Sequence, residues 1–115
     1  MNVSCQPDGE PGGVLIRALD PIEGIATMAC LRGLPETASA KQLTGGPGKL
    51  CQALDITRPR HNGLDVTSPK SILQIVDDGH RPETIDVTPR IGIRKAADLP
   101  LRFVIRAAAN PTRPR

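Results

Sequence analysis

Aromatic side chains are almost absent from this chain. Its 115 residues include one phenylalanine, Phe103, and no tryptophan or tyrosine. Because aromatic residues supply much of the buried area in ordinary protein cores, a core here must be built from leucine, isoleucine, valine and alanine. The same lack excludes a protein that stacks several nucleic-acid bases on aromatic rings, since only one position offers such a ring.

Cysteine, histidine and long apolar runs are also scarce. The three cysteines, Cys5, Cys30 and Cys51, are odd in number and widely spaced, which is typical of small buried thiols in a reduced protein rather than of a disulfide framework. His61 and His80 stand alone, so we expect no metal site. The chain shows no signal-peptide pattern and no apolar run long enough to cross a membrane, so we expect a cytoplasmic protein without a membrane partner.

Length and charge set further bounds. A chain of 115 residues suits one domain rather than two. The net charge of +3 and the isoelectric point near 9.1 indicate a mild preference for anionic partners, without establishing nucleic-acid binding. Arginines concentrate late in the chain, at Arg90, Arg94, Arg102, Arg106, Arg113 and Arg115.

The strongest local pattern is an apolar strand over Val14–Leu19 followed by a helix. Asp20 suits the N-cap, Pro21 suits the first helical position, and Glu23 completes a capping box. Gly33 suits the left-handed residue that ends the helix. The positions predicted to share the buried helix face are Ile22, Ile25, Ala26, Ala29 and Cys30.

One residue interrupts the predicted strand. Arg17 lies in its middle, where a buried charge is costly unless it is paired or reaches a cavity. Strand alternation alone favours the simpler interpretation, in which Arg17 points to solvent on the side opposite Ile16. The alternative is that its guanidinium faces a functional site.

The remaining predicted elements are short strands joined by polar turns. Met1–Cys5 is predicted to pair with the Val14 strand as a hairpin, through a turn over Gln6–Gly13. Together with the helix, these strands predict an α+β fold with a largely antiparallel sheet. Further strands are expected over Ser71–Val76, over Thr84–Thr88, which Pro89–Ile93 continues in kinked form, and over Leu101–Arg106. The last of these strands is expected to carry arginines on its outer face. We also expect an exposed turn at Asp77–Gly79 and a flexible tail over residues 107–115.

A glycine-rich segment, Thr44–Lys49, leads into the apolar stretch Leu50–Leu54. Pro47 suits the first turn of a short helix that buries Leu50, Cys51 and Leu54. Free main-chain N–H groups at such a helix start can hold a phosphate, to which Lys49 would add charge. The alternative is a plain junction between loop and helix, and the segment lacks the spacing of a nucleotide-binding P-loop.

Six stretches in this order resemble the 3-methyladenine (alkyladenine) DNA glycosylase family. The resemblance extends over nearly the whole chain and matches only the C-terminal part of the family's length. The matching stretches are Met1–Ser4, Val14–Gly24, Gly46–Leu54, Asn62–Asp65, Pro89–Ile93 and Pro100–Phe103.

The resemblance implies a base-excision-repair enzyme that flips a damaged purine out of double-stranded DNA and hydrolyses its N-glycosidic bond with an activated water. It also implies a monomer that needs no metal or organic cofactor. The implied fold is mixed, with a curved, largely antiparallel sheet and a few short helices. Residues 1–106 would form the C-terminal part of a single, here incomplete, glycosylase-like domain.

Site residues follow from the resemblance position by position. Asn2 matches the asparagine at the base-binding pocket, and Arg17 matches the strand arginine that projects towards the active site, which favours the functional interpretation of that charge. The residues that match the loop contacting the DNA backbone are Gly46, Pro47, Gly48 and Lys49.

The family's catalytic glutamate has no counterpart here, so the resemblance implies no catalytic residue within this chain. The four glutamates, Glu10, Glu23, Glu36 and Glu83, fall at positions without that role. Two alternatives remain: a non-catalytic, DNA-backbone-binding remnant of the family that uses Lys49, Arg17 and the late arginines, and an unrelated α+β domain with no nucleic-acid role. Because strands would be missing from the sheet, we also expect the isolated chain to fold poorly.

Overall fold

A computed structural model of the chain describes residues 1–106, so the tail predicted over residues 107–115 lies outside the described residues. The fold is α+β, as predicted. Within the described residues, none of the helices is long and apolar enough to cross a membrane. In chain order, the elements are β1 (Asn2–Ser4), β2 (Gly13–Leu15), α1 (Ile25–Arg32), α2 (Ala40–Thr44), α3 (Pro47–Ala53), α4 (Arg58–His61), β3 (Ile85–Thr88) and β4 (Arg102–Ile105).

The strands pair antiparallel, as predicted, and residues 1–106 contain two separate two-stranded sheets, β1–β2 and β3–β4. The chain divides into two compact units, here called the first unit, Met1–Gln74, and the second unit, which begins at Ile75. The first unit holds the β1–β2 sheet and all four helices, and the second unit holds the β3–β4 sheet.

The predicted N-terminal hairpin is confirmed. Asn2 lies opposite Leu15, and Ser4 lies opposite Gly13. The Ile16 N–H donates to the Met1 carbonyl at 3.0 Å, which extends the pairing by one residue. The second strand is shorter than predicted, since β2 ends at Leu15 and residues 16–20 are irregular.

The first helix begins later than predicted. It starts at Ile25, and its N-cap is Gly24 in the left-handed conformation (φ 72°), with no side-chain cap. The capping box expected at Asp20 is therefore wrong. The physical reason lies at Leu19, whose N–H and carbonyl both bond to Thr44. These bonds hold the preceding segment against α2 before a helix can begin.

The predicted helix end is confirmed. Gly33 adopts the left-handed conformation (φ 63°), and its N–H reaches the carbonyls of Ala29 and Cys30. The Leu34 N–H also donates to the Ala29 carbonyl at 2.9 Å. Only glycine adopts this conformation without a steric cost, so Gly33 closes the helix as the sequence indicates.

The buried face of α1 differs from the predicted one. Ala29 is buried and Ile25 is half-buried, as expected, but Ile22 is 67% exposed. Ala26 and Cys30 are also exposed. Met28 and Arg32 take their places at the half-buried edge, where the Arg32 guanidinium donates to the Gln52 side chain and the Gln42 carbonyl.

The core of the first unit is a small cluster where α3 packs against α1 and α2. Its fully buried residues are Ala29, Leu43, Thr44, Leu50 and Ala53. As the lack of aromatic residues predicts, leucine and alanine supply its apolar side chains. The α2 helix, which the sequence analysis did not resolve, begins with a capping box between Ser39 and Gln42.

The thiols are less buried than predicted. All three cysteines are free, but Cys5 and Cys30 are exposed and Cys51 is half-buried. Cys5 lies just beyond the short strand β1, and Cys30 lies on the outer side of α1. A small core therefore leaves two of the three thiols in contact with solvent.

The strand predicted over Ser71–Val76 is wrong, because these residues are irregular. Local side chain–main chain bonds compete with strand pairing there: the Gln74 amide donates to the carbonyls of Pro69 (3.1 Å) and Ser71 (2.9 Å). The aspartates of Asp77–Gly79 are exposed, as expected. Each accepts a main-chain N–H from two residues further on, at 2.8 Å.

The second unit contains the two strands predicted near the C-terminus. β3 ends at Thr88, so the kinked continuation over Pro89–Ile93 is not part of it. In β4 the faces are reversed relative to the prediction: Arg102 is half-buried, whereas Phe103 is 65% exposed. The apolar pairs Ile85–Ile105 and Val87–Phe103 thus share one exposed face.

Candidate nucleic-acid interface

Asn2 lies in β1 and faces a cavity of about 790 Å³ that belongs entirely to the first unit. The hairpin supplies one wall, and α3, α4 and the segment after α4 supply the others. This volume is in the range of small-molecule sites. The polar residues that line it with Asn2 are Ser4, Thr57, Arg58, His61, Asn62, Asp65 and Thr67.

Two polar turns shape the wall opposite Asn2. The His61 Nδ1 atom lies 3.1 Å from the Thr57 nitrogen and 3.0 Å from its carbonyl oxygen, which fastens the single turn of α4. The Asp65 carboxylate accepts from the Thr67 hydroxyl at 2.6 Å and from the Thr67 N–H at 2.9 Å. These bonds lower the pKa of Asp65, with the hydroxyl as the largest cause, so the carboxylate stays ionised.

The sequence of Arg58–Gly63 carries little that associates this segment with Asn2. The available local signal was Pro59, which occupies the first turn of α4 as proline favours. That signal predicts a helix start and says nothing about the hairpin on the other side of the cavity. Contacts between segments so far apart along the chain leave no local pattern.

Arg17 follows the end of β2 by two residues and is exposed. Leu15, the last residue of β2, pairs with Asn2, so Arg17 follows directly after the hairpin that carries Asn2. Arg17 does not line the cavity that Asn2 faces. Among residues 1–106, no side chain or carbonyl accepts a hydrogen bond from its guanidinium, which leaves that group open to an external anion.

The predicted backbone-binding residues form the start of α3. The helix expected there is confirmed, with Pro47 in its first turn, Leu50 buried, and Cys51 and Leu54 half-buried. The side of Gly48 is open, because a Cβ built there would meet no atom within 4 Å. The first-turn N–H groups of a helix have no intrahelical acceptor, and the first helical bond of α3 runs from the Leu50 N–H to the Gly46 carbonyl.

Lys49 is half-buried, and its charge lies between α2 and α3. The Lys49 ammonium donates to the Lys41 carbonyl at 3.4 Å. Lys41 is the second residue of the five-residue helix α2, so this contact links α2 to α3. The bond is long and exposed, so it leaves two further ammonium donors for an anion.

Thr44 connects the Arg17 segment to the predicted backbone-binding residues at the start of α3. Its hydroxyl donates to the Leu19 carbonyl at 2.7 Å, and the Leu19 N–H donates back to the Thr44 carbonyl at 3.3 Å. Leu19 lies two residues after Arg17, and Thr44 lies two residues before Gly46. The structure thereby joins the Arg17 segment to the start of α3, which the sequence analysis did not foresee.

Acidic side chains are sparse at the cavity. Asp65 is the one carboxylate among its described lining residues. All four glutamates of the chain, at positions 10, 23, 36 and 83, are exposed and lie outside that lining. Within residues 1–106, no three histidine, cysteine or acidic side chains converge as metal ligands would.

Known proteins resemble this chain over nearly all of its length. The sequence profile of the methylpurine-DNA glycosylase family matches residues 1–109. A relative from Koribacter versatilis, provisionally named a 3-methyladenine DNA glycosylase, is 53% identical over 105 residues, which cover 91% of this chain and 50% of the relative.

Two further relatives carry the same provisional name. One from Rhodopseudomonas palustris is 44% identical over 117 residues, covering 99% of this chain and 52% of its own length. One from Methanoculleus marisnigri is 40% identical over 119 residues, which cover 98% of this chain and 58% of the relative. The chain therefore spans about half the length of these relatives. With a profile match over nearly all of its residues, the chain belongs to the methylpurine-DNA glycosylase family.

Proposed function

We propose that this chain forms the DNA-binding part of a base-excision-repair glycosylase that removes alkylated or deaminated purines from double-stranded DNA. The observation that carries the proposal is the family match over residues 1–109. The position of Asn2 at a cavity large enough for a nucleotide base supports it further. Hydrolysis of the N-glycosidic bond and repair of DNA follow from this assignment.

The first step assigned to these residues is binding of the DNA backbone. Phosphate contacts supply affinity and register, and they make binding depend on salt. Lys49 and the first turn of α3 offer a cation and main-chain donors beside the exposed residue Gly48. We assign the contact with the backbone to Gly46, Pro47, Gly48 and Lys49.

The second step is capture of the flipped purine. Extrusion of a base costs a few kcal/mol, and it costs least for damaged or weakly paired bases. We assign recognition of the extruded base to Asn2, whose amide can both donate and accept hydrogen bonds. We assign to Arg17 the stabilisation of negative charge near the scissile bond, because its exposed guanidinium has no acceptor within residues 1–106.

The third step, deprotonation of the attacking water, requires a carboxylate beside the glycosidic bond. No glutamate lines the cavity among the described residues. We therefore assign this step to the part of the family domain that the present sequence does not include.

On this assignment the chain needs no metal or organic cofactor, acts as a monomer, and works in the cytoplasm or on the nucleoid.

Single-turnover base release tests this division of roles. The full chain, in large excess, is incubated with a duplex carrying one ethenoadenine or one hypoxanthine, and release is compared with that from an undamaged duplex. We expect damage-selective binding without base release. Release that Arg17→Ala abolishes would show that a carboxylate within this chain performs the chemistry, against our assignment of that step.

A second candidate function is DNA-backbone binding without recognition of damage. The observation that favours it is the separation of Arg17 from the cavity that Asn2 faces. This function predicts salt-sensitive binding that is equally tight for damaged and undamaged duplexes. A preference of about fivefold or more for the hypoxanthine duplex would exclude it, since that ratio corresponds to about 1 kcal/mol of discrimination.

A further inference from the structure

Thr44 is the one polar residue with a fully buried side chain among residues 1–106, at 1% exposure. Its hydroxyl lies 2.7 Å from the Leu19 carbonyl oxygen, closer than the 3.2 Å to the Ala40 carbonyl of its own helix. A threonine in a helix commonly bonds back to the carbonyl four residues earlier. Here the shorter bond goes to a different segment, which points to a role outside α2.

The bond is reciprocal. The Leu19 N–H donates to the Thr44 carbonyl at 3.3 Å, so both main-chain groups of Leu19 are held by one residue. Leu19 itself is 40% exposed, and residues 16–20 belong to no helix or strand. Regular secondary structure therefore does not hold this segment, and after Ile16 its main-chain hydrogen bonds within residues 1–106 are those with Thr44.

Arg17 lies between the two attachments of this segment. On one side, the Ile16 N–H bonds to the Met1 carbonyl at 3.0 Å. On the other side, Leu19 bonds to Thr44. Because the Arg17 side chain has no acceptor of its own within residues 1–106, its direction depends on the main chain between these two points.

We infer that Thr44 is a positioning residue, which holds the Arg17 segment at a set distance from the start of α3 so that both contact one DNA duplex. This inference rests on the proposed function and adds a residue to it. A long side chain loses much of its binding contribution when its main chain is free to move, because ordering it again costs conformational entropy. The hydroxyl of Thr44 removes that freedom before DNA arrives.

A double-mutant cycle in the full chain tests this role. The variants are Thr44→Val, which keeps the buried volume but lacks the hydroxyl, Thr44→Ser, which keeps it, Arg17→Gln, and Thr44→Val combined with Arg17→Gln. The probe is a duplex carrying one hypoxanthine, with an undamaged duplex as reference, and circular dichroism verifies that each variant retains its helices.

The expected results form a specific pattern. Thr44→Val weakens binding to the hypoxanthine duplex about fivefold, as the loss of one hydrogen bond worth roughly 1 kcal/mol predicts. Thr44→Ser stays within about twofold of the original chain, because its hydroxyl restores the bond. In the Arg17→Gln background, Thr44→Val has no further effect, since the residue through which it acts is gone.

Two other patterns overturn the inference and are distinguishable. If Thr44→Val weakens binding equally with and without Arg17, the hydroxyl supports the fold in general and does not position Arg17. If the original chain shows no preference for the hypoxanthine duplex, or Arg17→Gln leaves binding unchanged, the proposed function of Arg17 fails and the inference fails with it. Amide exchange at Leu19 tests the contact itself: Thr44→Val accelerates this exchange if the reciprocal bond holds the segment in solution, and unchanged exchange would also overturn the inference.

Discussion

The two compact units bury their apolar side chains to very different extents. In the first unit, Ala29, Leu43, Leu50 and Ala53 are each at most 2% exposed. Among residues 75–106, no side chain is buried, and the single aromatic residue, Phe103, is 65% exposed. The residues that the family resemblance assigns to DNA binding, from Asn2 to Lys49, lie in the first unit, so they are attached to the part of the chain that has a core.

The difference shows what a sequence with a single aromatic residue can and cannot build. Three short helices bring small aliphatic side chains together, because alanine and leucine allow helices to approach closely. A two-stranded sheet cannot bury its apolar side chains by itself, since a lone strand pair is only marginally stable without a covering layer. The second unit has paired strands but leaves the apolar face of β3–β4 exposed.

The largest effect should come from the core of the first unit. Leu50→Ala removes a side chain that is 0% exposed, and such changes cost about 2–5 kcal/mol. Because small domains are stable by only about 5–15 kcal/mol, much of the helical circular dichroism at 222 nm should be lost at moderate urea concentrations. The matched control, Ile85→Ala in the exposed face of β3, should cost less than about 1 kcal/mol. Equal losses for the two variants would contradict the comparison between the units.

The next effect concerns aggregation of the second unit. Phe103→Ser removes the most exposed aliphatic or aromatic side chain of β4 and should lower light scattering at a given concentration by about half, since exposed apolar strand faces promote association. The control is Val104→Ser on the half-buried face of the same strand. Unchanged scattering for Phe103→Ser would indicate that this face does not drive association.

A smaller effect should distinguish the contributions of the two units to DNA binding. Lys49→Gln removes a cation from the start of α3 and should weaken binding and reduce the salt slope by about 0.9, the value for one phosphate contact. Lys95→Gln removes an equal charge from an exposed position in the second unit. If both variants change the slope equally, net charge rather than a defined contact determines binding.

The smallest effect is in the dependence of stability on pH. Hydrogen bonds from Thr67 hold the pKa of Asp65 below its ordinary value, so the carboxylate stabilises the fold above that value and loses this contribution as pH falls through the folded-state pKa. Asp65→Asn should therefore reduce the acid sensitivity of the helical signal below about pH 4, the ordinary value for an aspartate. Asp77→Asn, which removes an ion pair with Arg81 in the second unit, is the matched control and should leave the helical signal unaffected. An unchanged acid profile for Asp65→Asn would show that its hydrogen bonds do not differ between folded and unfolded chains.

Several parts of the fold were predictable because their signals are local. Gly33 ends α1 as its conformational freedom indicates, Pro47 begins α3, and alternation identifies β3 and β4. The late start of α1 was not predictable, because it depends on bonds between Leu19 and Thr44, which are 25 residues apart. No capping pattern around Asp20 carries information about that contact.

The candidate site was predictable only in its parts. Family resemblance identified Asn2, Arg17 and the start of α3, but not the polar wall around His61 and Asp65 or the connection through Thr44. Strand alternation likewise could not establish which face of β4 is covered, because both faces of Arg102–Ile105 carry apolar residues. These features depend on contacts between distant segments, and a single sequence records only the residues that make them.

Amide hydrogen exchange of the full chain, with and without a duplex carrying one hypoxanthine, tests the central claim most directly. The claim is that DNA binds the first unit, at the Arg17 segment and the start of α3. We predict slower exchange on DNA binding over residues 16–19 and 48–50, with no change over β3 and β4. Protection confined to β3 and β4, or no protection anywhere, would contradict it.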